Sequence, residues 1–158
     1  SLGTGTLDAA PSPDPRIALP RDVARAVLRR NSIACFWQRL DDGAIRSFRE
    51  RYAATERALY LPAWNGAHAL CREPPLEIEC AVSEVDGLAA WRLVWVSGHA
   101  ALLQPTGDTA ERAAWRTAVG QLRRVITGLA SSEDLMFGSF NVVRLDILHV
   151  GGTSVQLD

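Results

Sequence analysis

The chain has 158 residues, enough for one domain with a core of its own. Hydrophobic residues make up 47% and charged residues 22%, the balance of an ordinary globular protein. A formal net charge of −1 gives no bulk attraction to nucleic acid or to an anionic membrane surface, and no apolar run approaches the length of a membrane-spanning helix.

Every one of the 17 basic side chains is an arginine. Lysine codons are A-rich, so this bias fits a bacterial genome rich in G and C rather than a chemical demand. It still excludes chemistry. Without lysine there is no Schiff base, and so no conventional pyridoxal-phosphate enzyme. The GxxxxGK[ST] loop of a phosphate-loop NTPase is missing as well. Cys35, Cys71 and Cys80 are widely spaced and form no CxxC pair, so neither a zinc site nor a redox dithiol is expected. Cys35 and Cys80 lie in apolar runs and are expected to be small core residues in a reducing cytoplasm. The first residues, SLGTGTLDAAPSPDPR, lack the basic head and apolar segment of a secretion signal, and a cytoplasmic location is expected.

Residues 1–15 are mostly Gly, Ser, Thr, Asp and Pro and are expected to form a flexible N-terminal arm, with 16–158 as a single domain. Pro20 opens a helix over 20–31 whose apolar face holds Val23, Val27 and Leu28. Residues 33–40 read as a strand, Asp41-Asp42-Gly43 as a hairpin turn, and 44–52 as a second strand. Residues 54–56 are turn-like and 57–61 form a third strand. A short helix over 65–72 is stopped by Glu73-Pro74-Pro75. Two strands follow, 76–85 and 90–103, joined at Asp86-Gly87, with Gly98 marking a bulge or bend. The spacing of Trp115, Val119, Leu122, Val125, Ile126 and Leu129 predicts a long helix over 109–130, capped by Asp108 or Thr109. Residues 140–150 form a sixth strand, after which Gly151-Gly152 leads into a short tail. Six strands with tight turns and one long helix predict an α+β protein built on an antiparallel barrel. No GxGxxG follows a strand, so the dinucleotide fingerprint is absent.

In their order and spacing, several of these segments resemble the pyridoxamine 5′-phosphate oxidase-like FMN-binding split-barrel family. ACFWQRLDDG resembles its first strand and "dG" hairpin, and RALYLPAWNGAHAL the strand and loop that usually hold the flavin phosphate. REPPLEIECAV, WRLVWVSGHAALL and FNVVRLDILHV resemble three later barrel strands. The resemblance covers about residues 20–152, a pattern estimate. The family's Ser-x-Lys or Ser-Arg-Lys loop is replaced by Asn65-Gly66-Ala67-His68. The C-terminal Trp and Arg with which the vitamin-B6 oxidase holds its substrate have no counterpart in GGTSVQLD, so that activity is not expected.

The resemblance implies a six-stranded antiparallel split β-barrel with flanking helices. It also implies an FMN cofactor, a flavin-dependent oxidoreductase of open substrate, and a homodimer with small-molecule sites at the subunit interface. FMN needs cations or N–H groups for its phosphate and a flat apolar wall for its ring. Arg46, Arg49, Arg51, His68 and Arg92 are the candidate cations, with Asn65 in the loop. Trp64 is the candidate wall, and the backbone of Leu61, Pro62 and Ala63 is placed to meet the ring edge. No catalytic side chain and no metal site are assigned, and neither nucleic acid nor membrane is an expected partner. Trp91 and Trp95 share a strand face that suits a core or a dimer interface. Glu77 and Glu79 share another, which suits an exposed edge. Three alternatives stay open. They are a deazaflavin in place of FMN; a non-catalytic flavin or haem module with His68, His99 or His149 as axial ligand; and a ligand-free scaffold of the same fold.

Overall fold

The computed structural model describes residues 16–64, 67–72, 75–87, 90–130 and 140–156. Among them, eight strands form one antiparallel sheet: β1 (Arg16–Ala18), β2 (Ile33–Arg39), β3 (Ile45–Arg51), β4 (Ala53–Ala54), β5 (Ala58–Pro62), β6 (Ile78–Val85), β7 (Ala90–Leu103) and β8 (Val142–Gln156). Two helices accompany them, α1 (Arg21–Arg30) and α2 (Thr109–Arg123), with a 3-10 turn at Ala67–Leu70. The sheet order is β3-β2-β6-β7-β8-β5-β4, and β1 joins the far part of β8.

Period-two alternation decides which side of each strand is buried. In β2, Ala34, Phe36 and Gln38 point inward while Ile33, Cys35 and Arg39 are exposed. In β6 the inward set is Ile78, Cys80 and Val82. These residues, with Leu59, Leu61, Val143 and Leu145, make the barrel core, and α1 plugs it with Ala24, Val27 and Leu28. A second core lies on the other face of the sheet's opposite end. There Trp115, Ala118, Val119 and Leu122 of α2 pack on Ala53, Leu103 and Val142. Asp108 caps α2, its carboxylate accepting from the Glu111 N–H at 2.8 Å.

The fold is the expected α+β split barrel, with differences at the margins. Eight strands replace the expected six because β1 and β4 are too short to show a period. Ala53 and Ala54 were expected at the edge of a turn, yet they ladder onto Tyr60 and Leu59. The expected helix over 109–130 stops at Arg123. Tight bonds from Val125 and Ile126 to Leu122 close its last turn, and Gly128 takes a left-handed φ of 82°. Of the expected helix over 65–72, the described residues form a four-residue 3-10 turn at Ala67–Leu70, and 65–66 lie outside them. The last strand does not end at Val150: it runs through Gly151 and Gly152 to Gln156, paired with β7 throughout. Gly152 allows this, because a Cβ there would meet Leu19 and the Leu93 carbonyl at 2.9 Å. Cys35 is exposed rather than core, since it falls on the outward phase of β2, whereas Cys80 is buried. The expected arm at 1–15 and the end of the tail, 157–158, lie outside the described residues.

Gly98 is the bulge the sequence suggested, with the β7–β8 register shifting between Ser97 and Gly98. A Cβ on Gly98 would sit 2.0 Å from the Asp146 carbonyl oxygen, a backbone atom that cannot swing away. Gly98→Ala should therefore cost about 2–3 kcal/mol, read as a lower urea midpoint at unchanged slope.

At the barrel's other end one carboxylate ties α1 to the sheet. Glu84 accepts two hydrogen bonds from Arg30, at 2.8 and 2.6 Å, one from Asn31 at 2.8 Å and one from Arg92 at 3.1 Å. The Arg30 hydrogen bonds, aided by Asn31 and by the charges of Arg30 and Arg92, hold the Glu84 carboxyl down at about 2. A depressed carboxyl stabilises the fold above its unfolded value and loses that contribution as pH falls through the folded value. Wild type should thus exceed Glu84→Gln by about 1–2 kcal/mol at pH 6, a figure reduced for solvent screening. The gap should close between roughly pH 4.5 and pH 2, as measured by denaturant titration at each pH.

Candidate functional site

A split barrel has a seam, and here it falls between β3 and β5. The two strands lie against each other at opposite ends of the sheet order without sharing a hydrogen-bonded ladder. The segment after β5 crosses this seam, and side chains from the far side hold it. The Trp64 indole N–H donates to Glu50 Oε2 at 2.8 Å. Arg46 Nη1 donates to the Ala69 carbonyl at 3.0 Å, and Gln38 Nε2 to the Leu70 carbonyl at 3.4 Å. All three holding residues lie on the inward phase of β2 or β3, and Gln38 and Arg46 are cross-strand partners.

Trp64 is fixed twice over. Besides its bond to Glu50, its ring meets Phe140 edge-to-face at 5.9 Å and 72°. Even so it is 41% exposed, a rigid aromatic surface turned partly to solvent. Behind it Leu61 and Pro62 are buried, and the Ala63 N–H is committed to the Asn141 carbonyl. The backbone edge expected to meet a ring is therefore partly spent inside the sheet, through the Leu61–Val143 and Pro62–Val142 pairings.

The structure thus brings together Arg46, Leu61, Pro62, Ala63 and Trp64. It does not bring in the other three arginines, Arg49, Arg51 and Arg92. Arg51 lies on the outward phase of β3 with Arg49, since 46 and 51 differ by an odd number of residues. Arg92 pairs with Ser154 near the far end of β8, whereas Leu61 pairs with Val143 near its start, and Arg92 is engaged by Glu84. Asn65 and the side chain of His68 lie outside the described atoms. His99 and His149 sit in the middle of the β7–β8 ladder, opposite Asp146 and Ser97. Trp91 is half-buried and Trp95 is 42% exposed, so neither is a core residue. Glu77 and Glu79 are exposed as expected, with Glu79 accepting from the Trp37 indole N–H.

Two residues of the site were missed by sequence reasoning, Gln38 and Glu50. Gln38 left a signal: in ACFWQRL it is the polar residue on the phase of Ala34 and Phe36. Glu50 is less legible, because the alternation along 44–52 is imperfect.

What can such a site hold? The Arg46 guanidinium makes one hydrogen bond among the described residues and has further N–H groups in a fork suited to phosphate. Trp64 offers a flat wall. Gln38 Oε1 is buried without a donor among the described residues. A cation, an aromatic wall and an open acceptor fit a phosphorylated aromatic ligand such as a flavin nucleotide. Nucleophilic chemistry fits less well. Burial pushes the Cys80 thiol up to about 12 and the Cys71 thiol up to about 11, so both stay protonated. Burial also raises the Tyr52 phenol, whose hydroxyl donates to the Leu28 carbonyl at 2.7 Å. Among the described residues no His, Cys, Asp and Glu cluster could hold a metal ion, and no helix is long and apolar enough to cross a membrane.

No protein-family model matches the chain, and no curated protein matches it. Solved structures do. The FAD and haem binding protein of Mycobacterium smegmatis is 15% identical with a TM-score of 0.67, over 92% of this chain and 75% of that one. A FAD-binding protein of Mesorhizobium loti is 18% identical with a TM-score of 0.65, over 89% and 99%. A provisionally assigned pyridoxamine 5′-phosphate oxidase of Corynebacterium glutamicum is 15% identical with a TM-score of 0.62, over 94% and 99%. At such identities the likeness fixes the fold alone. That fold is the pyridoxamine 5′-phosphate oxidase-like split barrel, as the sequence resemblance implied.

Proposed function

We propose that the chain is a flavin-binding protein that uses FMN as a flavin-dependent oxidoreductase in the cytoplasm. The observation that carries the reading is the seam crossing: Arg46 of β3, with N–H donors left over among the described residues, holds the same segment after β5 that carries the rigid, half-open Trp64. Similarity in fold to two proteins described as FAD-binding supports it. In this reading Arg46 binds the phosphate, Trp64 covers the ring or the ribityl chain, and buried Leu61 and Pro62 keep water from one side. When bound, FMN would supply hydride or electron transfer. A deazaflavin shares the tricyclic ring and would use the same wall.

Absorption spectra of freshly purified protein, before and after denaturation, test the reading. A flavin spectrum that shifts on release is the expected result. A colourless protein that also leaves the fluorescence of added FMN unchanged would remove the proposal, and a haem spectrum would replace it with the binding-module alternative.

We propose further that two copies pair, with ligand sites at their interface. The outward phase of β2 and β7 carries Ile33, Trp37, Leu93 and Trp95, with Leu93 38% and Trp95 42% exposed. Such clustered apolar surface is costly to leave in water. Light scattering should give about twice the 17.2 kDa chain mass, and a value at the single-chain mass across a wide concentration range contradicts the pairing.

A further inference from the structure

We infer that Gln38 is a ligand-contacting residue of this site, and that its side-chain oxygen takes a hydrogen bond from a hydroxyl of the ligand next to the phosphate. The inference rests on the flavin-binding reading and deepens it. Gln38 is 1% exposed. Its Nε2 is directed to the Leu70 carbonyl, which fixes the amide orientation, because a flipped amide would set two acceptors face to face. Oε1 is then left buried with no donor among the described residues. A buried acceptor in that state costs about 1–3 kcal/mol, and native proteins rarely leave one without a partner to come.

Position says what the partner is. Gln38 lies directly opposite Arg46 in the β2–β3 ladder, and their neighbouring side chains reach successive carbonyls of one 3-10 turn, Leu70 and Ala69. Arg46 is a donor and suits a phosphate oxygen; Gln38 Oε1 is an acceptor and repels one. A ligand that satisfies both carries a phosphate and, beside it, a hydroxyl. A ribityl phosphate has this pattern. Gln38 therefore favours polyol phosphates over ligands whose phosphate is flanked only by acceptors or hydrocarbon.

The test uses the full chain and FMN. Gln38→Met keeps length and bulk without the acceptor, and Gln38→Leu removes the acceptor with a different shape. FMN affinity is measured by fluorescence quenching, and thermal midpoints are measured without FMN. The expected result is about tenfold weaker FMN binding in both variants, the value of one hydrogen bond, with the FMN-free midpoint little changed because loss of the long Nε2 bond to Leu70 is offset by removal of a donorless buried oxygen. A purely structural Gln38 would move both readouts down together, and that outcome overturns the inference. So does FMN affinity within twofold of wild type, which would mean that a water satisfies the oxygen. If wild type itself fails to bind FMN, the flavin reading falls and takes this one with it. Tight wild-type binding with unaffected variants removes this inference alone.

Discussion

Arg46→Ala should weaken FMN binding by about 10- to 100-fold, the range for losing a charge-assisted hydrogen bond to phosphate. Arg51→Ala, one strand phase away, and Arg92→Ala, in the Glu84 cluster, should each change it by less than about threefold. Arg123→Ala, an exposed residue at the end of α2, serves as a control. The comparison is discriminating because all four changes remove the same charge. If affinity merely followed net charge, the four variants would fall together, and equal losses would show that Arg46 has no special place. Titrating FMN fluorescence against each variant at two salt concentrations separates the cases. The Arg46 effect should persist at high salt, while any long-range contribution from the others is screened.

Trp115→Ala should be the most destabilising single change in α2, at about 3–5 kcal/mol. Trp115 is fully buried at the centre of the second core, and its indole N–H donates to the Phe140 carbonyl at 2.6 Å. Truncation removes the ring and leaves that carbonyl without its donor. Trp115→Phe keeps most of the packing and should cost about 1–2 kcal/mol, chiefly the lost hydrogen bond. Urea unfolding followed by far-UV circular dichroism gives both values. Phe140 also braces Trp64 edge-on, so Trp115→Ala should loosen FMN binding although it lies on the other side of the sheet. Normal FMN affinity in a folded Trp115→Ala protein would show that the Trp115–Phe140 contact does not reach the site.

The sequence foretold long elements better than short ones, for a physical reason. β7 was placed residue for residue because a long apolar run opening on the alternating Trp91, Leu93 and Trp95, bounded by turns, leaves little freedom. β1 and β4, three and two residues long, carry no period and exist only because neighbouring strands present open edges. The overlong reading of α2 came from Val125, Ile126 and Leu129, which do pack against the second core but from turns rather than from helix. At the site the residue types were legible and their faces were not. Arg46 and Arg51 look alike in a list of cations, and only the phase of β3 separates them. The seam itself is invisible in sequence, since it is a place where strands fail to pair, and so Gln38 and Glu50, which hold the strap across it, escaped notice.

β8 has a consequence for how the molecule comes into being. It is the last of the described strands in chain order, yet it pairs with β7 along its length, with β5 over its first part and with β1 over its last, Arg16 lying opposite Val155. In a chain emerging from the ribosome β3-β2-β6-β7 and β4-β5 can already pair, but β1, β5 and the outer edge of β7 stay open until β8 arrives. Such long-range closure makes folding slow, on the order of milliseconds to seconds. During that interval the unpaired edge of β7, with its exposed Leu93 and Trp95, is the surface most prone to join a neighbouring nascent chain. Synthesis rate and chaperone supply, rather than final stability, should then set how much of this protein a cell accumulates.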